Sequence, residues 1–162
     1  MRPTPDRVRE TLFNWLAPVI ERASCLDLFA GTGVLGLEAL SRGAADVVFV
    51  ERDRGLVRSL RSRLEAFGSP ARVVDEAAMT YLGGAAKQAF DIVFLDPPYA
   101  TRLDPILALL PEWLADAALL YVERPRSDET LRAAADALPG ARIAKEARAG
   151  DVLYGLLQYE RA

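Results

Sequence analysis

An α/β fold, a mostly parallel seven-stranded sheet with helices on both faces and an antiparallel C-terminal strand, is predicted by three features of this sequence. Short apolar runs alternate with segments of helical periodicity, and a glycine turn, Gly31-Thr32-Gly33, joins the first run to a helical segment. The last two runs, Arg142 to Arg148 and Val152 to Glu160, are separated only by Ala149-Gly150-Asp151, too short for a crossover helix, so they form a hairpin.

Taken in order, Thr4 can cap a helix with Pro5 at its first position, and Val8, Leu12, Trp15, Leu16, Val19 and Ile20 form an apolar stripe at helical spacing. This predicts a helix over 5–22, ahead of the first strand. Strands are then expected at about 25–30, 46–51, 72–75, 91–96 and 117–123, separated by helices at 34–42, 53–67, 77–87, 103–114 and 127–138. Strands separated by helices build a parallel sheet covered on both sides. There is no internal repeat or linker, and 162 residues fall within the range of one domain, so 1–162 is read as a single domain with the first helix as a cover.

Composition narrows the chemistry. The single cysteine, Cys25, excludes an internal disulfide and a cysteine-based zinc site, and without histidine the usual metal clusters are missing, so no metal is expected. No long apolar run or signal-like opening is present, which predicts a cytoplasmic protein, and it is expected to be monomeric. A net charge of −3 is not that of a protein gripping nucleic acid by its phosphates alone. Arginines are unevenly placed, however. Those from Arg58 to Arg63 read as a solvated helix face, whereas Arg2, Arg7 and Arg9 open the chain where they can meet RNA phosphates.

The most informative motif is Asp96-Pro97-Pro98-Tyr99, directly after the apolar run 90–95. A strand can leave a sheet this way for purely structural reasons, because proline donates no N–H. The same four residues also build a seat for a planar amine. Asp96 and the Pro97 carbonyl can each accept one N–H of an exocyclic amino group, and Tyr99 can stack on the base, a contact of roughly 1–3 kcal/mol. Positive charge developing on a methylated nitrogen would be stabilised by the carboxylate more in the transition state than before it. A base inside a helix must first be extruded, at a cost of a few kcal/mol. Cys25, at the start of the first strand, reads as a small core residue rather than a nucleophile.

A second motif lies upstream. Gly31-Thr32-Gly33-Val34-Leu35-Gly36 satisfies G-x-G-x-x-G, and Glu51 follows twenty residues beyond Gly31 at a strand end, where it can accept ribose hydroxyls. A nicotinamide oxidoreductase is therefore a competing reading. Against it, Asp27 before the loop would repel a pyrophosphate but attract an aminoacyl ammonium, the chain has no room for a second domain, and histidine is missing as a proton donor. S-adenosyl-L-methionine fits these features better. Asp27, Glu51, Asp75 and Asp96 all fall at or near the carboxyl ends of strands, where ligands of such sheets bind.

The segments Arg2-Pro3-Thr4-Pro5-Asp6-Arg7 to Leu16 and Leu26-Asp27-Leu28-Phe29-Ala30-Gly31-Thr32-Gly33 to Ala44, followed by Asp96 to Tyr99, resemble the RsmD family of bacterial guanine-N2 methyltransferases of 16S ribosomal RNA. The resemblance covers nearly the whole chain. It implies a Rossmann-like class I methyltransferase fold, S-adenosyl-L-methionine as donor, and ribosomal RNA in a small ribosomal subunit or assembly intermediate as partner. It also implies catalytic roles for Asp96, Pro97, Pro98 and Tyr99. Cofactor contacts are implied for Asp27, Phe29, Ala30, Gly31, Gly33, Glu51, Arg52 and Ala78, with Thr4 and Arg7 of the opening segment folding over the cofactor. The family usually carries an Arg/Gly-rich stretch ahead of Arg-Pro-Thr, which this sequence does not show. It also commonly has Asp or Asn where Ala77 stands here, so adenine recognition is expected to pass to Asp75, Glu76 or backbone near Ala78. Because Asp-Pro-Pro-Tyr serves either amine, adenine-N6 methylation of DNA is the alternative within the same chemistry.

Overall fold

The computed structural model describes residues 5–69, 71–128 and 130–161. Seven strands, β1 (Ser24–Asp27), β2 (Asp46–Glu51), β3 (Arg72–Asp75), β4 (Phe90–Leu95), β5 (Leu114–Pro125), β6 (Ala141–Ala149) and β7 (Val152–Tyr159), form one sheet in the order β3-β2-β1-β4-β5-β7-β6. The first five are parallel; β7 inserts antiparallel between β5 and β6, as the short Ala149-Gly150-Asp151 connection requires. From β1 the chain winds outward to β3 and then crosses back to β4, so strand order reverses between β1 and β4. That reversal opens a crevice at their carboxyl ends.

Alternation along the strands sorts the core into two layers. On one face, Cys25, Phe49, Phe94 and Tyr121 pack beneath α1 (Asp6–Leu16), α2 (Val34–Ser41) and α3 (Arg54–Phe67), which contribute Leu12, Phe13, Leu35, Ala39, Leu60 and Leu64. On the other, Leu26, Val48, Val93 and Leu120 meet α4 (Ala78–Gly83), α5 (Asp104–Leu109) and α6 (Arg132–Asp136). Each fully buried Leu or Phe contributes roughly 1.5–3 kcal/mol by leaving water. Phe13 on α1 meets Phe94 with ring centroids 6.0 Å apart, and Trp15 stacks on Tyr154 at 5.5 Å, so α1 is anchored across β4 and β7.

Several elements are shorter than their periodicity predicts. The first helix spans Asp6–Leu16 rather than 5–22, with Pro5 as its N-cap and Pro18 just beyond its end, where a missing N–H cannot continue the ladder. The expected cap, Thr4, lies outside the described residues. The helix expected at 77–87 ends at Gly83, before Gly84, and that expected at 103–114 stops at Leu109, before Pro111 restarts the chain as a 3₁₀ turn, Pro111–Trp113. The one expected at 127–138 is reduced to Arg132–Asp136. β5 is correspondingly longer than 117–123, with Ala117 at φ 64° where its register against β4 shifts. The first strand ends at Asp27 instead of 30, because the backbone turns away and Ala30 N–H donates to Val50 O at 3.0 Å. Asp53 caps α3 as an acceptor for Leu56 N–H at 3.1 Å.

Candidate active site

The glycine turn is held by carboxylates rather than merely permitted by missing side chains. Gly31 N–H donates to Glu51 Oε1 at 2.8 Å, and Asp53 N–H donates to Glu51 Oε2 at 2.9 Å. Gly36 N–H donates to Asp27 Oδ2 at 3.1 Å. Gly31 and Gly33 lie at φ 58° and 86°, backbone that L side chains rarely adopt. A Cβ at Gly33 would lie 2.6 Å from Leu60 Cδ1, and one at Gly36 would lie 2.2 Å from Phe49 Cε1. The third glycine thus lets α2 sit on β2. Arg63 Nη2 donates to Thr32 O from behind the turn, and Arg61 Nη2 donates to Val73 O at 2.9 Å. These two arginines of the α3 cluster tie loops together, a role their spacing did not reveal.

Across adjacent strands, Glu51 closes β2, Asp27 closes β1, Asp96 follows β4 and Glu123 lies near the end of β5. Asp27, Glu51 and Glu123 are all buried. Burial pushes the Asp27 carboxyl up to about 7; Gly36 N–H pulls the other way, and the charges of Asp96 and Glu51 add to the rise. Such an edge suits a ligand that carries positive charge. Tyr121 donates its hydroxyl to Glu123 Oε2 at 2.7 Å, and burial, followed by the Glu123 charge and hydrogen bond and the Asp96 charge, raises the Tyr121 phenol. Sequence reasoning did not single out Glu123. Its signal was the same as that of the other acids, a carboxylate near a strand end, but the run 117–123 gave no reason to place it beside Asp96.

A cavity of about 430 Å³ opens beside this edge. Of the residues singled out from the sequence, Phe29, Glu51, Arg52, Ala78 and Pro98 line it, together with Glu76, Met79 and Ile106. Asp75 does not; it lines a separate groove beside α3. Ala77 is the N-cap of α4 without a side-chain cap, and it too lines the cavity. Ala30, Gly31, Gly33 and Asp27 are not among the lining residues. The first three form the turn, and Asp27 lies beneath it. Asp96 is partly buried, Pro97 buried and Pro98 exposed, while half-buried Tyr99 lines a second cavity, which shares Thr101 with the first. Arg7 is exposed on the first turn of α1, and Arg9 pairs with Asp6 at 3.1 Å. Thr4 lies outside the described residues.

A sheet of this order, with a glycine turn at its crossover and Asp-Pro-Pro-Tyr after β4, has the class I methyltransferase architecture. A solved methyltransferase from Geobacter sulfurreducens shares that fold at TM-score 0.78 and 16% identity, covering 98% of this chain and 80% of that one. The chain belongs to the RsmD family: the family model described as conserved hypothetical protein 95 matches residues 1–158. Ribosomal RNA small subunit methyltransferase D of Escherichia coli strain K12 is 46% identical over 164 residues, covering 99% of this chain and 80% of that protein. The protein of the same name from Haemophilus influenzae is 45% identical over 130 residues, 76% of this chain and 67% of that protein. Among solved structures, yhhF from Escherichia coli superposes with TM-score 0.89 and 44% identity, covering 99% of this chain and 89% of that one.

Proposed function

We propose that this protein transfers a methyl group from S-adenosyl-L-methionine to the exocyclic N2 of a guanine in small-subunit ribosomal RNA. The observation that carries the reading is the gathering of Glu51, Asp27 and Asp96 at the carboxyl ends of three neighbouring strands, with Glu51 lining the cavity and the Asp27 carboxyl held up to about 7 by burial and by its acidic neighbours. A ligand bearing an ammonium and a sulfonium offsets that excess of negative charge. The names of the relatives, ribosomal RNA small subunit methyltransferases, support the choice of RNA.

In this reading Asp27 receives the aminoacyl ammonium through the glycine turn, and Glu51 accepts the ribose hydroxyls with lone pairs left over from Gly31 and Asp53. Phe29, Arg52, Ala78 and Pro98 enclose the adenosine, with Glu76 and backbone near Ala78 taking over the recognition expected of an acid at position 77. Ala30, Gly31 and Gly33 shape the turn, while Thr4 and Arg7 belong to the cover. When bound, S-adenosyl-L-methionine supplies an electrophilic methyl group. Asp96 and the Pro97 carbonyl hold the acceptor amine by its N–H groups, and the Asp96 charge stabilises the nitrogen as it becomes positive. Tyr99 stacks on the base. The chain acts as a single methyltransferase domain and as a monomer on a small ribosomal subunit or its assembly intermediate.

Labelled methyl donor, small ribosomal subunits lacking the modification, and mass spectrometry of the released nucleosides test the reading. Methyl-N2-guanosine is expected from the wild type, and Asp96→Ala is expected to lose transfer while still binding the donor in calorimetry. Undiminished turnover in that variant, or methylation at adenine N6 instead, would reject the assignment.

A further inference from the structure

Next to the larger cavity, and sharing Thr101 with it, lies a second one of about 250 Å³, which the cofactor reading leaves without an occupant. Tyr99 and Thr101 line one side; Arg124, Asp128, Thr130 and Leu131 line the other. Arg124 sits near the end of β5, two residues beyond Val122, which pairs with Leu95 immediately before Asp96. Parallel pairing therefore brings Arg124 alongside the strand end from which the acceptor-binding motif departs.

The guanidinium is unusual in how it is satisfied. Its side chain is only 18% exposed, and Nε donates to Asp128 Oδ2 at 3.4 Å, but Nη1 is buried with no hydrogen-bond partner among the described residues. A charged donor left without an acceptor costs free energy that a ligand oxygen can recover. Asp128 is 45% exposed, and a contact that long from such a position is weak enough for an incoming group to rearrange. Because Asp128 offsets the charge locally, a neutral acceptor fits better than a phosphate. Arginine's planar fork matches the O6 and N7 acceptors of guanine, whereas adenine presents an amino donor in place of O6.

We infer that this cavity receives the O6 edge of the acceptor base, beside Tyr99, and that Arg124 selects guanine over adenine by donating to that edge, while Asp96 and Pro97, just outside the cavity's lining, hold N2. The inference rests on the guanine-N2 reading and supplies what that reading lacks, because Asp-Pro-Pro-Tyr alone accepts either amine. Arg124 is then the specificity-determining side chain of the site.

The test places guanine or 2-aminopurine at the methylated position of reconstituted small subunits. 2-Aminopurine keeps the exocyclic amine and loses O6. Wild-type kcat/KM is expected to favour guanine by roughly 5- to 150-fold, the discrimination of one bidentate arginine contact. In Arg124→Met this ratio should fall at least fivefold, with donor affinity unchanged. Arg124→Lys, which keeps the charge and loses the fork, should fall between them and carries the comparison if the methionine variant does not bind donor. An unchanged ratio in both variants overturns the inference, as does equal use of the two bases by the wild type. Uniform weakening on both substrates, with a salt slope lower by about one, would mark Arg124 as a phosphate anchor and also overturn it. If the wild type methylates neither base, it is the underlying guanine-N2 reading that fails.

Discussion

Asp27 and Gly36 are joined across the glycine turn: the Gly36 N–H donates to Asp27 Oδ2 at 3.1 Å, so the last residue of β1 holds the first turn of α2 against the sheet. One carboxylate therefore serves the fold and, in the proposed reaction, the donor.

That double role has a pH signature. Asp27 ionises near 3.8 when unfolded and near 7 when folded, the rise coming chiefly from burial. Between those values the native state holds the proton more tightly, so the Asp27 contribution to stability is fully present below about pH 4, is lost through the window to about 7, and is flat above it. Asp27→Asn keeps an acceptor for Gly36 and should remove this fall, making the ligand-free protein more stable at pH 8 by on the order of 2–4 kcal/mol. Urea titrations of both proteins at pH 5 and 8 measure the difference, and parallel pH profiles would contradict it.

Donor binding should release protons below pH 7, since a cation placed near Asp27 restores the ionised carboxylate. Calorimetry in two buffers of different ionisation enthalpy at pH 6 reads that release directly. The Asn variant should show none from this group.

Glu51 accepts from two main-chain donors, and glutamine has only one acceptor oxygen. Glu51→Gln leaves either Gly31 or Asp53 facing an amide NH₂, at a cost of about 1–3 kcal/mol even without ligand. Exposed Arg52 lines the same cavity without such bonds among the described residues, so Arg52→Ala should weaken donor binding with little change in melting temperature. Thermal denaturation of the two ligand-free variants separates the cases.

Gly36→Ala should destabilise the protein by roughly 1–3 kcal/mol through overpacking, because the new methyl lies 2.2 Å from Phe49 Cε1. Adding Phe49→Leu should recover part of the loss. If the double variant melts no higher than Gly36→Ala alone, the steric account is wrong.

Cys25 should be chemically silent. Burial, followed by Asp46, Asp91 and Asp27, pushes its thiol up to about 12, so at pH 8 iodoacetamide should label it only as the protein unfolds. Cys25→Ala should keep methyl transfer; its loss would implicate the thiol.

Much of this was legible in the chain because it is local. The continuous apolar run between Asp46 and Glu51, the glycines at 31, 33 and 36, and the proline pair after Asp96 each express a local preference within a few residues, and they predict strand, turn and strand end without reference to anything distant. Helix ends were misjudged where a proline or glycine pair cut an otherwise regular pattern, as at Pro18, Gly83 and Pro111.

What the sequence determined by itself was the alternating order of elements, the antiparallel ending forced by a three-residue link, and the acids near the ends of strands. Only the tertiary structure decided which of those acids share an edge, that Asp75 faces a different groove from Glu76, that Glu123 and Arg124 stand beside the Asp-Pro-Pro-Tyr motif, and that Arg61 and Arg63 fasten loops. The reason is range: periodicity is set by covalent geometry along the chain, whereas neighbours across a sheet are chosen by strand order and register, which depend on how every face of the protein is buried at once.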